Sequence, residues 1–192
     1  MNELQTPIRP MLELPEKIAG HPVQTDWLWW MQYVGKVLAA PLLWTEKSDI
    51  ILLNVFHEIP SNEAECLQGV LDFYFCGEPI DGNEPAPKEP VLDWEKDALR
   101  IWGDFRVYAG IDLSTTRMHW WQFMAIFRSL PSESQIKFAI AYRGMDLSEI
   151  KDSKTRAQYA KIKRAVALQA VDYEAEYDEA MERRNMNVGN SI

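Results

Sequence analysis

The chain has 192 residues, of which 47% are hydrophobic and 11% aromatic, and it carries a net charge of −9. This composition excludes disorder across the whole chain and predicts an ordinary apolar core in one domain or two small ones. Residues 1–96 hold most of the negative charge, with 16 acids and 6 bases, and an acidic surface of this kind disfavours nonspecific binding to nucleic acid.

The N-terminal part, residues 1–76, is predicted to contain a short hairpin and three helices. Lys17–Ile18 and Val23–Gln24 flank a four-residue turn and would form the hairpin. Capping residues and apolar residues at helical spacing then predict the helices. These run from a cap at Thr25-Asp26 to Leu38, from Glu46 to Glu58, and from a cap at Ser61 to Gly77.

A proline-rich acidic connector is predicted at residues 77–92, which hold four prolines, two glycines and four acids. It would separate the N-terminal part from a C-terminal helical part at residues 93–170. The chain would then end in an acidic helical extension and a frayed tail at residues 171–192.

Four further helices are predicted after the connector, so the fold class is all-α, a compact multi-helix domain. Trp102 and Trp121 lie on apolar helix faces and are predicted to be core residues. The helices run from a cap at Asp93 to Gly110, from Met118 to Leu130, from Gln135 to Tyr142 with a capping box of Ser132 and Gln135, and from Ser153 toward Arg184 as one long C-terminal helix.

The sequence contains no recognisable catalytic constellation. Its three histidines, His21, His57 and His119, lie in different predicted elements, and His119 is interpreted as a partly buried packing residue. Asp93, Glu95 and Asp97 are interpreted as a cap and helix-dipole charges and not as a metal cluster. No nucleophile elbow or phosphate-binding loop occurs, so we expect no catalytic site, no metal, no cofactor and no enzymatic activity.

Cys66 and Cys76 lie ten residues apart, in and after one predicted helix, and are expected to stay free thiols, which suits a reducing cytoplasm. No signal segment is evident, and no apolar run reaches the roughly 18 residues that a bilayer span needs. We therefore expect the protein in the cytoplasm of its host, with no membrane partner.

A run of basic residues opens the long C-terminal helix. It is interpreted as a solvated helix face, as a docking surface for an acidic or amphipathic partner segment, or as a nucleic-acid contact, which the overall charge disfavours. The negative charge of residues 172–182 would also suit head-to-tail pairing between copies. The residues predicted to bind a partner are Lys151, Arg156, Tyr159, Lys161, Lys163 and Arg164.

Several motifs occur in an order that resembles a known family. The motifs HWW, SLP, RGMDLSEIKD and RAQYAKIKRAVAL stand at His119–Trp121, Ser129–Pro131, Arg143–Asp152 and Arg156–Leu168. The opening LPEKIAGHPVQTDW at Leu14–Trp27 is similar to the family's N-terminal pattern. That pattern usually continues with an aromatic residue and an arginine, where this chain has Trp27 and Leu28. Over roughly residues 11–170 the chain resembles the phage gene-product-fifteen family.

Members of this family are encoded beside the tape-measure gene of long-tailed phages and are regarded as tail assembly chaperones. The resemblance implies a protein that binds the tape-measure protein, is displaced as the tail tube polymerises, and has the tail tube protein as a further partner. Two alternatives remain: a tail completion or joining protein retained in the virion, and a small helical regulator that binds nucleic acid.

Overall fold

The computed structural model describes residues 13–78 and 90–168, which are all-α, as predicted, apart from one two-stranded hairpin. They group into two compact units that do not follow chain order. The first contains residues 13–78 and Ile101–Leu130, and the second contains residues 90–100 and 131–168. Most of the predicted connector and all of the predicted acidic extension lie outside the described residues, so both stay predictions.

The hairpin of the first unit pairs β1 (Lys17–Ile18) with β2 (His21–Pro22) in antiparallel register. Ala19 and Gly20 form the turn with φ of 47° and 85°, because a two-residue hairpin turn requires left-handed backbone. The predicted hairpin is confirmed. Its second strand lies two residues earlier than the expected Val23–Gln24, since the turn has two residues and not four.

The first helix begins at the predicted cap and contains a π-helical segment that the sequence did not indicate. The Asp26 carboxylate accepts hydrogen bonds from the amides of Leu28 (3.0 Å) and Trp29 (3.3 Å). Before Pro41 the backbone of Ala40 becomes extended, with ψ of 148°, and the helix ends. The successive segments are α1 (Trp27–Trp30), the π-helical segment Met31–Gly35 and α2 (Lys36–Ala39).

The next two helices begin at positions that differ from the predicted ones. One begins two residues before Glu46, because the Glu46 side chain accepts a hydrogen bond from the backbone amide of Leu43 at 2.9 Å. The other follows Asn62, so the predicted cap at Ser61 is wrong. These helices are α3 (Trp44–Phe56) and α4 (Glu63–Tyr74).

The helix predicted from Asp93 begins with a turn. The Asp93 carboxylate accepts from the amides of Glu95 and Lys96, both at 3.0 Å, and the α-helix proper starts five residues after Asp93. It ends at Gly110, which has φ of 68°, as the sequence predicts. The segments are α5 (Ala98–Asp104) and the π-helical segment Phe105–Ala109. The division between the two units falls within α5, after Arg100.

His119 caps the following helix, α6 (Trp120–Ser129). Its Nδ1 accepts from the Trp121 amide at 3.0 Å, which requires the ring proton to be on Nε2. That nitrogen then donates to the Pro15 carbonyl at 2.9 Å. His119 is half-buried, as predicted, and its two ring nitrogens join the start of α6 to the chain before the hairpin.

Stacked aromatic rings build the core of the first unit. The Phe123 ring of α6 stacks on Trp27 at 4.8 Å and on Phe105 at 4.9 Å between centroids. Trp30 stacks on Phe73 of α4 at 4.3 Å. Because each ring removes a large apolar area from water, these contacts dominate the packing of this unit.

The buried tryptophans are not those that the sequence predicts. Trp30 and Trp120 are completely buried, whereas Trp102 is 37% exposed and Trp121 is half-buried. The Trp102 indole donates to the Asp112 carboxylate at 2.9 Å. The prediction that Trp102 and Trp121 lie in the core is therefore wrong, because helical spacing identifies an apolar face but not the elements that cover it.

The second unit contains α7 (Gln135–Gly144), a 3₁₀ turn at Leu147–Glu149 and α8 (Ser153–Ala165). The buried Ser134 caps α7, and its hydroxyl accepts from the backbone amide two residues into the helix, at Lys137 (3.4 Å). The predicted helix start at Gln135 is confirmed, but the predicted capping box at Ser132 is wrong, because a turn after Pro131 leaves Ser134 directly before the first helical residue.

The prediction of one long helix from Ser153 toward Arg184 is also wrong, since α8 ends at Ala165. The next carbonyl, that of Val166, accepts from the Arg143 guanidinium at 2.5 Å and turns toward the interior of the unit. The later residues of the predicted helix lie beyond the described residues.

Candidate functional site

The predicted basic run lies in the second unit, on α8 and the loop before it. The Asp152 carboxylate caps the helix by accepting from the Thr155 amide at 2.7 Å. Hydrogen bonds from the Thr155 side chain and backbone lower the pKa of Asp152. A charged cap suits the positive end of the helix dipole, so local chemistry places the start of α8.

Among the six predicted partner-binding residues, Arg156, Tyr159 and Lys163 make contacts that hold them against their own unit. The Arg156 guanidinium donates to the Ile150 carbonyl at 2.9 and 2.7 Å, and Lys163 Nζ donates to the Met145 carbonyl at 3.0 Å. The Tyr159 ring lies edge-on to a tyrosine of α7 at 5.7 Å. These side chains hold α8 in place, and that role accounts for them without a partner.

The other three predicted residues, Lys151, Lys161 and Arg164, are exposed. Lys161 shares one face of α8 with Lys154, because seven residues make nearly two helical turns. The structure thus separates the basic run into a packed side and an outward side. Nothing in the described residues tests whether the outward side binds a partner, so that assignment stays a prediction.

A buried ion pair that the sequence did not indicate holds the end of α8. Arg143 of α7 donates to both carboxylate oxygens of Asp97, at 2.6 and 2.8 Å, and the two side chains are 4% and 0% exposed. The same guanidinium donates to the carbonyls of Val91 (3.0 Å) and Val166 (2.5 Å). Arg143 therefore joins four segments of the second unit.

Burial alone would raise the pKa of Asp97, but hydrogen bonds from Arg143 and the Asp93 amide, with the charges of Arg143 and Arg100, lower it overall. A charge-assisted, bidentate pair of this kind keeps the carboxylate ionised inside the unit. The interpretation of Asp97 as a helix-dipole charge missed this contact, since its partner lies 46 residues later.

The first unit presents an apolar surface that the sequence analysis also missed. Ile50 and Leu53 lie on one face of α3 and Leu43 directly precedes the helix, and they are 37%, 47% and 71% exposed. Beside them, Lys47 Nζ donates to the Leu38 carbonyl (2.6 Å) and the Asn54 amide donates to the Tyr33 carbonyl (3.2 Å), while the exposed Glu46 shares their side of the helix. The signal in the sequence was apolar residues at spacings of seven and three.

Trp29 lines two clefts of the first unit. The Trp29 ring stacks on Tyr33 at 5.2 Å, and Tyr33 is 46% exposed. One cleft, of about 430 Å³, is lined by His21, Pro22, Gln24, Trp29, Asn54, Val55, Phe56 and His57. A second, of about 460 Å³, is lined by Gln24, Asp26, Leu28, Trp29, Gln32, Tyr33 and Arg117.

Among residues 13–78 and 90–168, no group of three or more histidines, cysteines or acids is placed to hold a metal ion. Two histidines that the sequence assigned to separate elements, His21 and His57, line the same cleft. Cys66 and Cys76 are free thiols. Burial is the main cause that raises the pKa of both, to about 11 for Cys76. No helix in the described part of the chain is long and apolar enough to cross a membrane.

Comparison with known families identifies one match, described as Bacteriophage Gp15 protein, over residues 45–168. The match includes Asp97, Arg143, all of α8 and all of α3 except its first residue. No curated protein and no solved structure matches the chain significantly. Since the matched residues make up more than half of the chain, it belongs to the bacteriophage Gp15 family.

Proposed function

We propose that this protein is a tail assembly chaperone that binds the tape-measure protein of its phage and is displaced when tail tube protein polymerises. Membership of the bacteriophage Gp15 family supports a phage role. The observation that carries the proposal is the exposed apolar face of α3. As a reversible binding protein in the host cytoplasm, it would need neither a cofactor nor a covalent step.

The α3 face has the chemistry that an amphipathic helix recognises. Ile50 and Leu53, with Leu43 just before the helix, offer apolar contacts along α3. Lys47 and Asn54 beside them donate to backbone carbonyls of their own unit, and the Glu46 carboxylate accepts from the Leu43 amide. A partner that covered these apolar side chains would remove apolar area from water.

Displacement requires moderate affinity, and this surface suits that requirement. A narrow apolar strip buries much less area than a permanent interface, which typically exceeds 2,000 Å². Tube subunits that bind the same segment in a growing polymer would replace the chaperone by mass action.

Co-expression with the adjacent tape-measure gene, followed by pull-down, tests the proposal. Ile50→Asp combined with Leu53→Asp should lower capture at least about tenfold, because charges would then occupy the centre of the apolar contact. Leu99→Asp combined with Val107→Asp is the matched control, since both residues are exposed apolar side chains on elements other than α3, at 82% and 74%. Equal capture by both variants would reject the α3 face as the binding site.

Mass spectrometry of purified particles distinguishes the chaperone from a tail completion or joining protein. A chaperone that is displaced should be absent from mature virions. Stoichiometric recovery of this chain from particles would instead favour a permanent structural role.

A further inference from the structure

The outward side of α8 is an exposed basic face. Lys154, Ala157, Gln158 and Lys161 follow one another at spacings of three, one and three residues, which places them on a single face, and all four are exposed. Lys154 and Lys161 make no side-chain hydrogen bond or ion pair with any residue in the described ranges 13–78 and 90–168. Lys154 and Lys161 give this outer face of α8 its positive charge.

The chain that follows α8 carries the complementary charge. Residues 172–182 contain six acids and no base, namely Asp172, Glu174, Glu176, Asp178, Glu179 and Glu182.

The last described residues before this acidic segment lie just after the C-terminal end of α8. Carbonyls of Val166 and Leu168 accept from Arg143 (2.5 Å) and Lys96 (3.0 Å), so the chain leaves the helix axis and stays bound to the second unit. α8 therefore ends seven residues before the acidic segment begins in the sequence. The segment starts four residues after Leu168, which is bound to Lys96.

The distances allow the segment to fold back. Lys154 and Lys161 are about 10 Å apart along the axis, and Lys154 is about 16 Å from the end of α8. Four extended residues span up to about 14 Å and ten span up to about 35 Å beyond Leu168, so residues 172–178 can reach both lysines.

We propose that the acidic segment 172–182 binds the basic outer face of α8 in the same chain. Exposed ion pairs are individually weak, so a few of them would not hold two separate molecules together at micromolar concentration. A segment tethered a few residues away has an effective concentration in the millimolar range, which favours the intramolecular contact. A second copy of the chain is the competing occupant.

This contact would control access to α8 and is independent of the proposed function. An acidic partner segment would bind the basic face only by displacing residues 172–182. The face would therefore select for partners with more negative charge, or a better fit, than the chain's own segment.

Zero-length carbodiimide cross-linking of the full chain tests the proposal, because it joins a lysine to a carboxylate only when the two are in contact. An equal mixture of ¹⁴N- and ¹⁵N-labelled protein separates contacts within a chain from contacts between chains. We expect cross-links from Lys154 and Lys161 to residues 172–182 within single chains. Their yield should fall in about 1 M salt, where screening acts over roughly 3 Å.

A charge variant removes the remaining ambiguity. Lys154→Glu should lower the yield of cross-links from Lys161 to the segment about fourfold, since one attraction becomes a repulsion. Lys17→Glu is the control, because Lys17 is an exposed lysine in β1 of the first unit, and it should leave that yield unchanged. Cross-links mainly between unlike isotopes would assign the occupant to a second copy. Equal yields from Lys17 and Lys161, or no effect of salt or of Lys154→Glu, would overturn the proposal.

Discussion

The first unit is stabilised by ring stacking, with Phe123 between Trp27 and Phe105 at 4.8 and 4.9 Å. In the second unit, by contrast, Arg143 joins Asp97 and two backbone carbonyls through hydrogen bonds that are buried or partly buried. Apolar packing is nondirectional and tolerates small shifts, whereas a buried ion pair requires every partner in place. The stability of the two units should therefore respond differently to side-chain truncation, to removal of a charge and to pH.

Truncating the aromatic core should have the largest effect. Trp120→Ala should lower the free energy of unfolding by about 4–5 kcal/mol, because Trp120 is fully buried and its loss leaves a cavity. Trp102→Ala is the matched control and should lose less than half as much, since that ring is already 37% exposed. Urea unfolding of both variants measures the difference. Equal losses would mean that burial does not determine how much each of these two tryptophans contributes to stability.

Removing one partner of the ion pair should come next. Asp97→Asn should cost about 3 kcal/mol, because Arg143 keeps its carbonyl partners but its buried charge loses the counter-ion. Arg100→Ala removes only a half-exposed neighbour of the same carboxylate at 3.0 Å and should cost less than about 1 kcal/mol. Thermal or urea unfolding gives both values. A cost for Arg100→Ala as large as that for Asp97→Asn would contradict the central role of Arg143.

The ion pair should also shape the dependence of stability on pH. Because the pKa of Asp97 is lowered in the folded protein, its stabilisation is present above the ordinary aspartate pKa of about 3.9 and is lost as pH falls through the folded value. Unfolding free energies measured from about pH 6 to about pH 3 should therefore fall less steeply for Asp97→Asn than for the unaltered protein.

Some acid sensitivity should remain in that variant. Hydrogen bonds from Ser114 and Trp102 lower the pKa of Asp112 in the first unit to about 2, and Asp97→Asn leaves them intact. Identical slopes for the two proteins would show that Asp97 does not titrate differently on folding.

The smallest predicted effect concerns the cap of α7. Ser134→Ala should cost about 1 kcal/mol, because the buried hydroxyl no longer satisfies the Lys137 amide. Ser132→Ala should be nearly neutral, as its exposed hydroxyl contacts only Glu133. Comparison of the two melting temperatures checks which serine caps this helix. A larger loss at Ser132 would support the original capping box.

The sequence located the helices better than it located their environment. Asp26 and Gly110 mark helix ends as predicted, because capping depends on groups a few residues apart. Ser61 failed as a cap because the helix starts one residue later than predicted, after Asn62, whose side chain makes no capping hydrogen bond. For the candidate site, the basic run on α8 was visible in the sequence, whereas its division into packed and outward sides depended on Ile150 and Met145 carbonyls that spacing does not reveal.

By itself, the sequence determined the all-α class, the hairpin, most helix positions and the resemblance to the family that matches residues 45–168, since these depend on local patterns. Only the tertiary structure decided which tryptophans are buried, where α8 ends and what neutralises Asp97. Arg143 is 46 residues from Asp97, and the energy of their contact arises only once folding removes both from water. Local chemistry therefore identifies helices, whereas the burial and the structural role of a charged or aromatic side chain depend on neighbours that are distant in the chain.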